Sequence, residues 1–384
     1  MMSDLRDILE RHVSSGSLPG AVGLVARGDR VEVEAVGSAD IEGTAPMVRD
    51  SIFRIASMTK PVTAAAAMTL VEERLLALED EIAPWLPELA SPLVARTPAS
   101  PLDDVVPADR PITVFDLLTS RAGYGFPSDF SLPAVAPLVG ELKQGPPQPQ
   151  HTAAPDAWLK TLSGIPMLYQ PGEAYLYNTC SDILGVLIAR VSGQSLPEFM
   201  AERIFEPLGM ADTGFFVPAA DLGRFTSYYR EGEGGLEAAD APHGQWSSLP
   251  AFPSGAGGLV STADDWCAFG RMLLAEGALD GGRGRLLSAK SVRKMTTDWL
   301  TPAQRAAGEL FLEGQGWGFG GSVDVTTRDP WNVPGRYGWV GGTGTAGHIT
   351  PSTGAVSVLL TQREMNSPAP HAVMREFWTY AAGA

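Results

Sequence analysis

Metal and disulfide chemistry have little to work with in this chain. Its 384 residues include 2 cysteines, Cys180 and Cys267, and 5 histidines. Two thiols without ligand spacing make neither a disulfide framework nor a metal site, so both are expected to be reduced and buried. His12, His151, His243, His348 and His371 stand alone, and no HExxH or HxH pair occurs. Basic charge is scarce too: 28 Lys and Arg against 44 Asp and Glu give a formal net charge of -16, which repels phosphate backbones and argues against a nucleic-acid partner. No apolar run approaches the roughly 20 residues that span a bilayer. The opening stretch MMSDLRDILERHV carries charges where a signal peptide needs an apolar segment. The expectation is a cytoplasmic chain, away from membranes.

Glycine and proline, by contrast, are plentiful, at 43 and 31, and imply many loops between compact elements. A hydrophobic share of 44% with 19% charged residues is that of an ordinary globular protein, which sets disorder aside. The length favours two subdomains.

Leu5, Ile8, Leu9 and Val13 recur at helical spacing among charged residues, so the chain opens with an amphipathic helix. Ala21–Ala26 and Val31–Val36 are β-rich, and Gly28-Asp29 between them supplies a hairpin turn. A helix is expected from Ser57 to Leu76, then mainly helical segments at 113–120, 156–162, 178–192, 195–205, 262–276 and 288–298. Residues 121–155, rich in Pro and Gly, form a long loop over a site. Strands return at 316–325, 336–341, 345–350 and 355–361, before a last helix at 371–381. These elements predict a discontinuous α/β domain, residues 1–54 and 302–384, with an antiparallel sheet flanked by the N- and C-terminal helices. A mainly helical domain, 55–301, is inserted into it, with the active site at the interface.

Nucleophilic chemistry needs a serine whose proton something can take. No serine here has glycine at both the -2 and +2 positions, so the G-x-S-x-G elbow is absent. S-x-x-K is present as Ser57-Met58-Thr59-Lys60. Residues three apart share a helix face, so the Lys60 amine can reach the Ser57 hydroxyl. A helix start also offers free N–H groups to a developing oxyanion. Ser291-Val292-Arg293-Lys294 has the same spacing, but its basic neighbours read as a solvated helix face. The first copy runs into the nearly uncharged PVTAAAAMTLV, and a lysine in such a helix is unusual in a chain with five. A buried lysine finds a partner or loses its proton, and either suits catalysis.

The stretch FRIASMTKPVTAAAAMTLVEE resembles the active-serine helix of the serine β-lactamase and penicillin-binding-protein superfamily, and within it class C β-lactamases and family VIII carboxylesterases. ITVFDLLTSRAGYG, YQPGEAYLYNTCSDILG, SGQSLPEFMAERIFEPLGMADTGF, SGAGGLVSTADDW and RYGWVGGTGTAG agree, in the family's order, across residues 5 to 381. The resemblance implies a β-lactamase/transpeptidase-like fold and a catalytic tyrosine at Tyr177, with Tyr175 the competitor. A neighbouring Lys60 ammonium would favour the Tyr177 phenolate, and either group can take the first proton. β-Lactamases carry Tyr-x-Asn; here Asn178 follows Tyr177 directly, a position where esterases of the family vary.

The family's Lys-Thr-Gly strand corresponds to Gly338-Trp339-Val340-Gly341-Gly342-Thr343-Gly344, which has no lysine and looks like the W-x-G form of family VIII esterases. Gly341 and its neighbours let the backbone approach a substrate, and the N–H of Gly342 or of Thr343 would complete an oxyanion hole with that of Ser57. Tyr124, Phe126, Trp246 and Trp339 are candidates for an acyl or alcohol pocket. The implied activity is that of a carboxylesterase acting on small to medium acyl esters through a Ser57 acyl-enzyme, with no cofactor and no metal. The alternatives are a β-lactamase, a D-amino-acid peptidase or amidase, an acyltransferase, or a non-catalytic ligand-binding member. Arg336, close to the same strand, is the candidate replacement for the missing lysine. The expected partner is a small-molecule ester or amide.

Overall fold

A computed structural model describes residues 4–282 and 284–383; residues 1–3, 283 and 384, including both outer limits of the expected α/β domain, lie outside the described residues. Helix α1 (Leu5–Ser14) starts at Asp4, whose carboxylate accepts from the Asp7 N–H at 2.8 Å. Strands β1 (Gly20–Arg27) and β2 (Arg30–Gly37) form the expected hairpin, with Gly28 at a φ of 52° in its two-residue turn.

Five further strands come from the other end of the chain: β3 (Gly316–Trp317), β4 (Ser322–Val323), β5 (Tyr337–Gly341), β6 (Thr345–Thr350) and β7 (Ala355–Thr361). All seven join in one antiparallel sheet of order β2-β1-β7-β6-β5-β4-β3. The register Ala21↔Thr361 to Arg27↔Ala355 brings the two ends of the chain together.

Strand β1 is buried on both faces, as the middle of three layers must be. Ala21 and Val25 meet Leu5, Leu9, Phe377 and Trp378 of α1 and the last helix (Ala372–Gly383). Gly23 lies on this face because a Cβ there would press on Leu5 and Leu9. Val22, Leu24 and Ala26 face the main core instead. The fold is the β-lactamase/transpeptidase-like arrangement: an antiparallel sheet flanked by terminal helices, with a largely helical region between β2 and β3.

Within that region, α2 (Thr59–Glu72) is buried at every position from Thr59 to Leu70. Its run of alanines lets it pack at the centre of the helical layer, where any charged side chain loses its water. Helix α3 (Thr179–Ser192) packs beside it.

Several elements differ from expectation. The helix opening at Ser57 begins as a 3-10 turn (Ala56–Met58) and ends at Glu72. The segment 195–205 is α-helical at Leu196–Met200 and continues as a π-turn, Ala201–Phe205. The strand expected at 316–325 is two short pieces, because Gly320 turns the chain at a φ of 71° between them. The loop at 121–155 contains a helix, Val135–Gly140. A hairpin of Tyr228–Gly232 and Gly235–Asp240 carried no alternating pattern strong enough to announce it.

Candidate active site

The chain leaves the two-residue strand Phe53–Arg54 and reverses through Ala56 at a φ of 41°. A left-handed alanine costs about 1–2 kcal/mol, so its surroundings must over-determine it. The Ile55 N–H donates to the Leu259 carbonyl at 3.1 Å, and the Ile55 carbonyl accepts from the Met58 N–H at 3.1 Å and from the Thr345 hydroxyl at 3.2 Å. This pinned turn carries Ser57 into the wall of a cavity of about 470 Å³.

One turn later Lys60, 1% exposed, points back along the helix. Its Nζ lies 2.8 Å from Ser57 Oγ, 2.9 Å from Asn178 Oδ1 and 2.8 Å from the Ala256 carbonyl. Two of these partners can only accept. A neutral amine has two N–H bonds and one lone pair. Donating to Asn178 and Ala256 satisfies both N–H bonds and leaves the lone pair for the Ser57 hydroxyl proton. Burial pushes Lys60 down to about 7, against the opposing pull of the Asp182 charge.

Asp182 was not foreseen. It is 4% exposed on α3, and all its hydrogen-bond partners are donors: Ser254 Oγ at 2.6 Å, the Ala256 N–H at 3.1 Å and Gln144 Nε2 at 3.3 Å. Burial pushes its carboxyl up, while these donors and Lys60 pull it down. Ala256 thus gives its N–H to Asp182 and its carbonyl to Lys60. An acid within the apolar run TCSDILGVLIA was the available signal, of the same kind that singled out Lys60.

Tyr177 enters from the other side. Its backbone exchanges two 2.9 Å hydrogen bonds with Phe126, and the Thr179 N–H folds back to the Tyr177 carbonyl at 3.2 Å. That three-residue turn holds Asn178 at φ 82° and ψ -66°, a strained conformation that asparagine tolerates better than most residues. It directs the Asn178 amide onto Lys60, which is where the one-residue departure from Tyr-x-Asn leads.

The Tyr177 ring stacks on Phe311 at 4.6 Å, and Lys60 Nζ sits 4.5 Å above its centre. Its hydroxyl accepts from Trp339 Nε1 at 2.7 Å and stands beside Ser57. Burial pushes Tyr177 up to about 12. The expected phenolate is therefore not favoured: desolvation outweighs the help of Ser57 and Trp339.

Trp339 and Gly342 line the same cavity, with Phe126 and Trp246 among its apolar walls. Gly342 follows the end of β5, and its carbonyl accepts from the Met365 N–H at 2.7 Å. Thr343 is turned away: it is 1% exposed, outside the cavity lining, and its hydroxyl donates to the Arg54 carbonyl at 2.5 Å. Gly341 sits behind the wall, where a Cβ would strike Thr345 and the Ile55 carbonyl. Tyr124 is 2% exposed with its hydroxyl unpartnered and does not reach the cavity. Tyr175 packs against Trp317 in the core and does not line the cavity either.

Arg336 does not replace the missing lysine. It is 4% exposed, lies 3.7 Å from Asp324, and faces a separate small void beside His348 and Trp378. In the second S-x-x-K the basic neighbours Lys290 and Arg293 are exposed as expected, but Ser291 itself is turned inward, 6% exposed and donating to Glu72 at 2.5 Å. Both cysteines are buried and outside any disulfide. Among the described residues no group of three or more His, Cys, Asp or Glu could hold a metal ion, and no helix is long and apolar enough to cross a membrane.

A serine hydrogen-bonded to a buried lysine and set beside a tyrosine, on this fold, defines a class. The beta-lactamase family matches residues 5–377, and the chain belongs to that family of serine hydrolases. Protein Rv1367c of Mycobacterium tuberculosis (strain ATCC 25618 / H37Rv) is 40% identical over 359 residues, covering 91% of this chain and 86% of that protein. The lovastatin esterase of Penicillium rubens is 30% identical, with 86% and 85% covered. Among solved structures, EstCE1, a hydrolase with promiscuous acyltransferase activity, shares the fold with a TM-score of 0.78 at 24% identity, covering 97% of this chain and 96% of that one.

Proposed function

We propose that this chain is a carboxylesterase working through a Ser57 acyl-enzyme. The observation that carries the reading is the setting of the Lys60 amine, held by two carbonyl-type acceptors and by Ser57 Oγ, so that its neutral form spends both N–H bonds on the acceptors and turns its lone pair to Ser57. As Ser57 Oγ attacks the ester carbonyl, Lys60 takes its proton. The carbonyl oxygen, now an oxyanion, is held by the N–H groups of Ser57 and Gly342. Tyr177, a phenol at neutral pH, gives its proton to the departing alkoxide. The tyrosinate left behind, beneath the Lys60 ammonium, then takes a proton from water as that water attacks the acyl-enzyme. Lys60 returns the first proton to Ser57 Oγ, and both groups end as they began.

The cavity lining supports esters over β-lactams and peptides. Its one lysine is Lys143, an exposed residue whose amine donates to the Gly140 carbonyl, and β5 carries no cation for a substrate carboxylate. The esterase among the relatives points the same way. Acyl transfer is a second reading, favoured by the apolar walls: an alcohol bound against Phe126, Trp246 and Phe252 would compete with water for the acyl-enzyme. The test is p-nitrophenyl butyrate against the chromogenic cephalosporin nitrocefin, with Ser57→Ala as control. Fast Ser57-dependent ester cleavage with little nitrocefin turnover is expected; the reverse ranking overturns the reading.

A further inference from the structure

The cavity holds one acidic side chain that the chemistry above does not use. Glu364 follows the last sheet strand, and its backbone is clamped between two elements. Its own N–H donates to the Tyr229 carbonyl at 2.7 Å, and the next N–H, of Met365, donates to the Gly342 carbonyl at 2.7 Å. Glu364 therefore occupies a defined place beside the strand that bears the oxyanion donor. Its side chain is half-buried in the cavity wall with Tyr228 and Trp246.

No cation neutralises it. The adjacent Arg363 reaches Glu231 at 2.8 Å, Arg54 behind the wall is taken by Asp240 at 2.6 Å, and no ion pair to Glu364 forms among the described residues. The carboxylate stands beside the buried Tyr228 hydroxyl without a well-formed hydrogen bond to it. Arg54 already lies against the outer side of this aromatic wall, 5.2 Å from the Trp246 ring centre and 5.9 Å from that of Tyr228. A carboxylate set among aromatic rings is the arrangement that recognises ammonium groups, by charge and by the negative ring faces.

We infer that Glu364 sets the charge specificity of this cavity: it draws in esters that carry an ammonium group and turns away those that carry a carboxylate. This rests on the ester-cleaving reading and goes beyond the loss of the Lys-Thr-Gly lysine. The site has a charge of the opposite sign next to the same strand, so carboxylate-bearing lactams and peptides are repelled and not merely left unheld.

The test uses two series of esters. One is p-nitrophenyl hexanoate, its 6-trimethylammonio derivative and p-nitrophenyl hydrogen adipate, with the charge on the acyl chain. The other is ethyl butyrate, butyrylcholine and O-butyrylglycolate, with the charge on the alcohol. In at least one series kcat/KM should fall from ammonium to carboxylate by about tenfold or more. Glu364→Gln should flatten that ranking, and Glu364→Lys should invert it. In the wild-type protein, which needs no variant to fold, the ratio should shrink as salt screens the charge. A ranking that is flat in both series, or one that persists in Glu364→Gln, overturns the inference. Failure of Ser57-dependent cleavage of the neutral esters would instead overturn the esterase reading itself.

Discussion

Replacing Asp182 by Asn should move the pH dependence of catalysis toward acid. Lys60 must be neutral to accept the Ser57 proton, so kcat/KM rises with pH as the ammonium is lost, through about 7. Burial favours the neutral amine, and the Asp182 charge favours the ammonium. One residue, Ala256, bridges the two groups. Charges held that close interact by about 2 kcal/mol at an effective dielectric constant of about 20, which corresponds to about one to two pK units. The amide oxygen of Asn can keep the bonds from Ser254 and Ala256, which hold the loop, while the charge and the longer bond from Gln144 at 3.3 Å are lost. The ascending limb of kcat/KM for p-nitrophenyl butyrate, followed by pH-stat from about pH 5 to about pH 9, should shift down by about one unit or more. A limb that stays in place in a folded Asp182→Asn protein, or moves toward alkali, would refute the assignment of Lys60 as the base tuned by this carboxylate.

Other outcomes follow from the same geometry. Ser57→Ala should abolish turnover and labelling by a fluorophosphonate with the melting temperature nearly unchanged; residual labelling would show that another nucleophile is at work. Ser291→Ala should keep activity but lose about 1–2 kcal/mol of stability in urea unfolding, because Glu72 forfeits a charge-assisted hydrogen bond. Trp339→Phe removes the N–H that holds the Tyr177 hydroxyl, and should lower kcat for a poor alcohol leaving group more than for p-nitrophenol, which needs no proton; equal losses would place Trp339 outside the proton path. Gly341→Ala should fold poorly or lose most activity, since the added methyl meets the Ile55 carbonyl that positions the Ser57 turn; a fully active variant would show that this turn tolerates displacement.

Much of the candidate site was legible because local spacing determines it. Ser57 and Lys60 are one helical turn apart, and the uncharged run after them has no reading except burial. Tyr177 followed from a resemblance that extends over its neighbours. Which of Gly342 and Thr343 lines the cavity was not decidable along the strand, because that depends on where the strand ends; Gly342 lines it, and the Thr343 hydroxyl is turned to the Arg54 carbonyl. Tyr124 was a candidate pocket aromatic, yet aromatic type does not distinguish a core wall from a cavity wall. Phe311 and Glu364 lie far along the chain from the motif and had no pattern of their own.

The sequence by itself determined the layered fold, the serine–lysine pair and the absence of a lysine on the third-motif strand, since these rest on periodicity, on three-residue spacing and on residue identity. Only the tertiary structure supplied the surroundings on which the proposed protonation order and cavity charge rest. Both depend on how much water each group loses and which distant partner it meets. Lys60 acquires Ala256 and the Asp182 charge from across the fold, Tyr177 acquires Trp339, and Glu364 is left without a cation because Arg363 and Arg54 are engaged elsewhere.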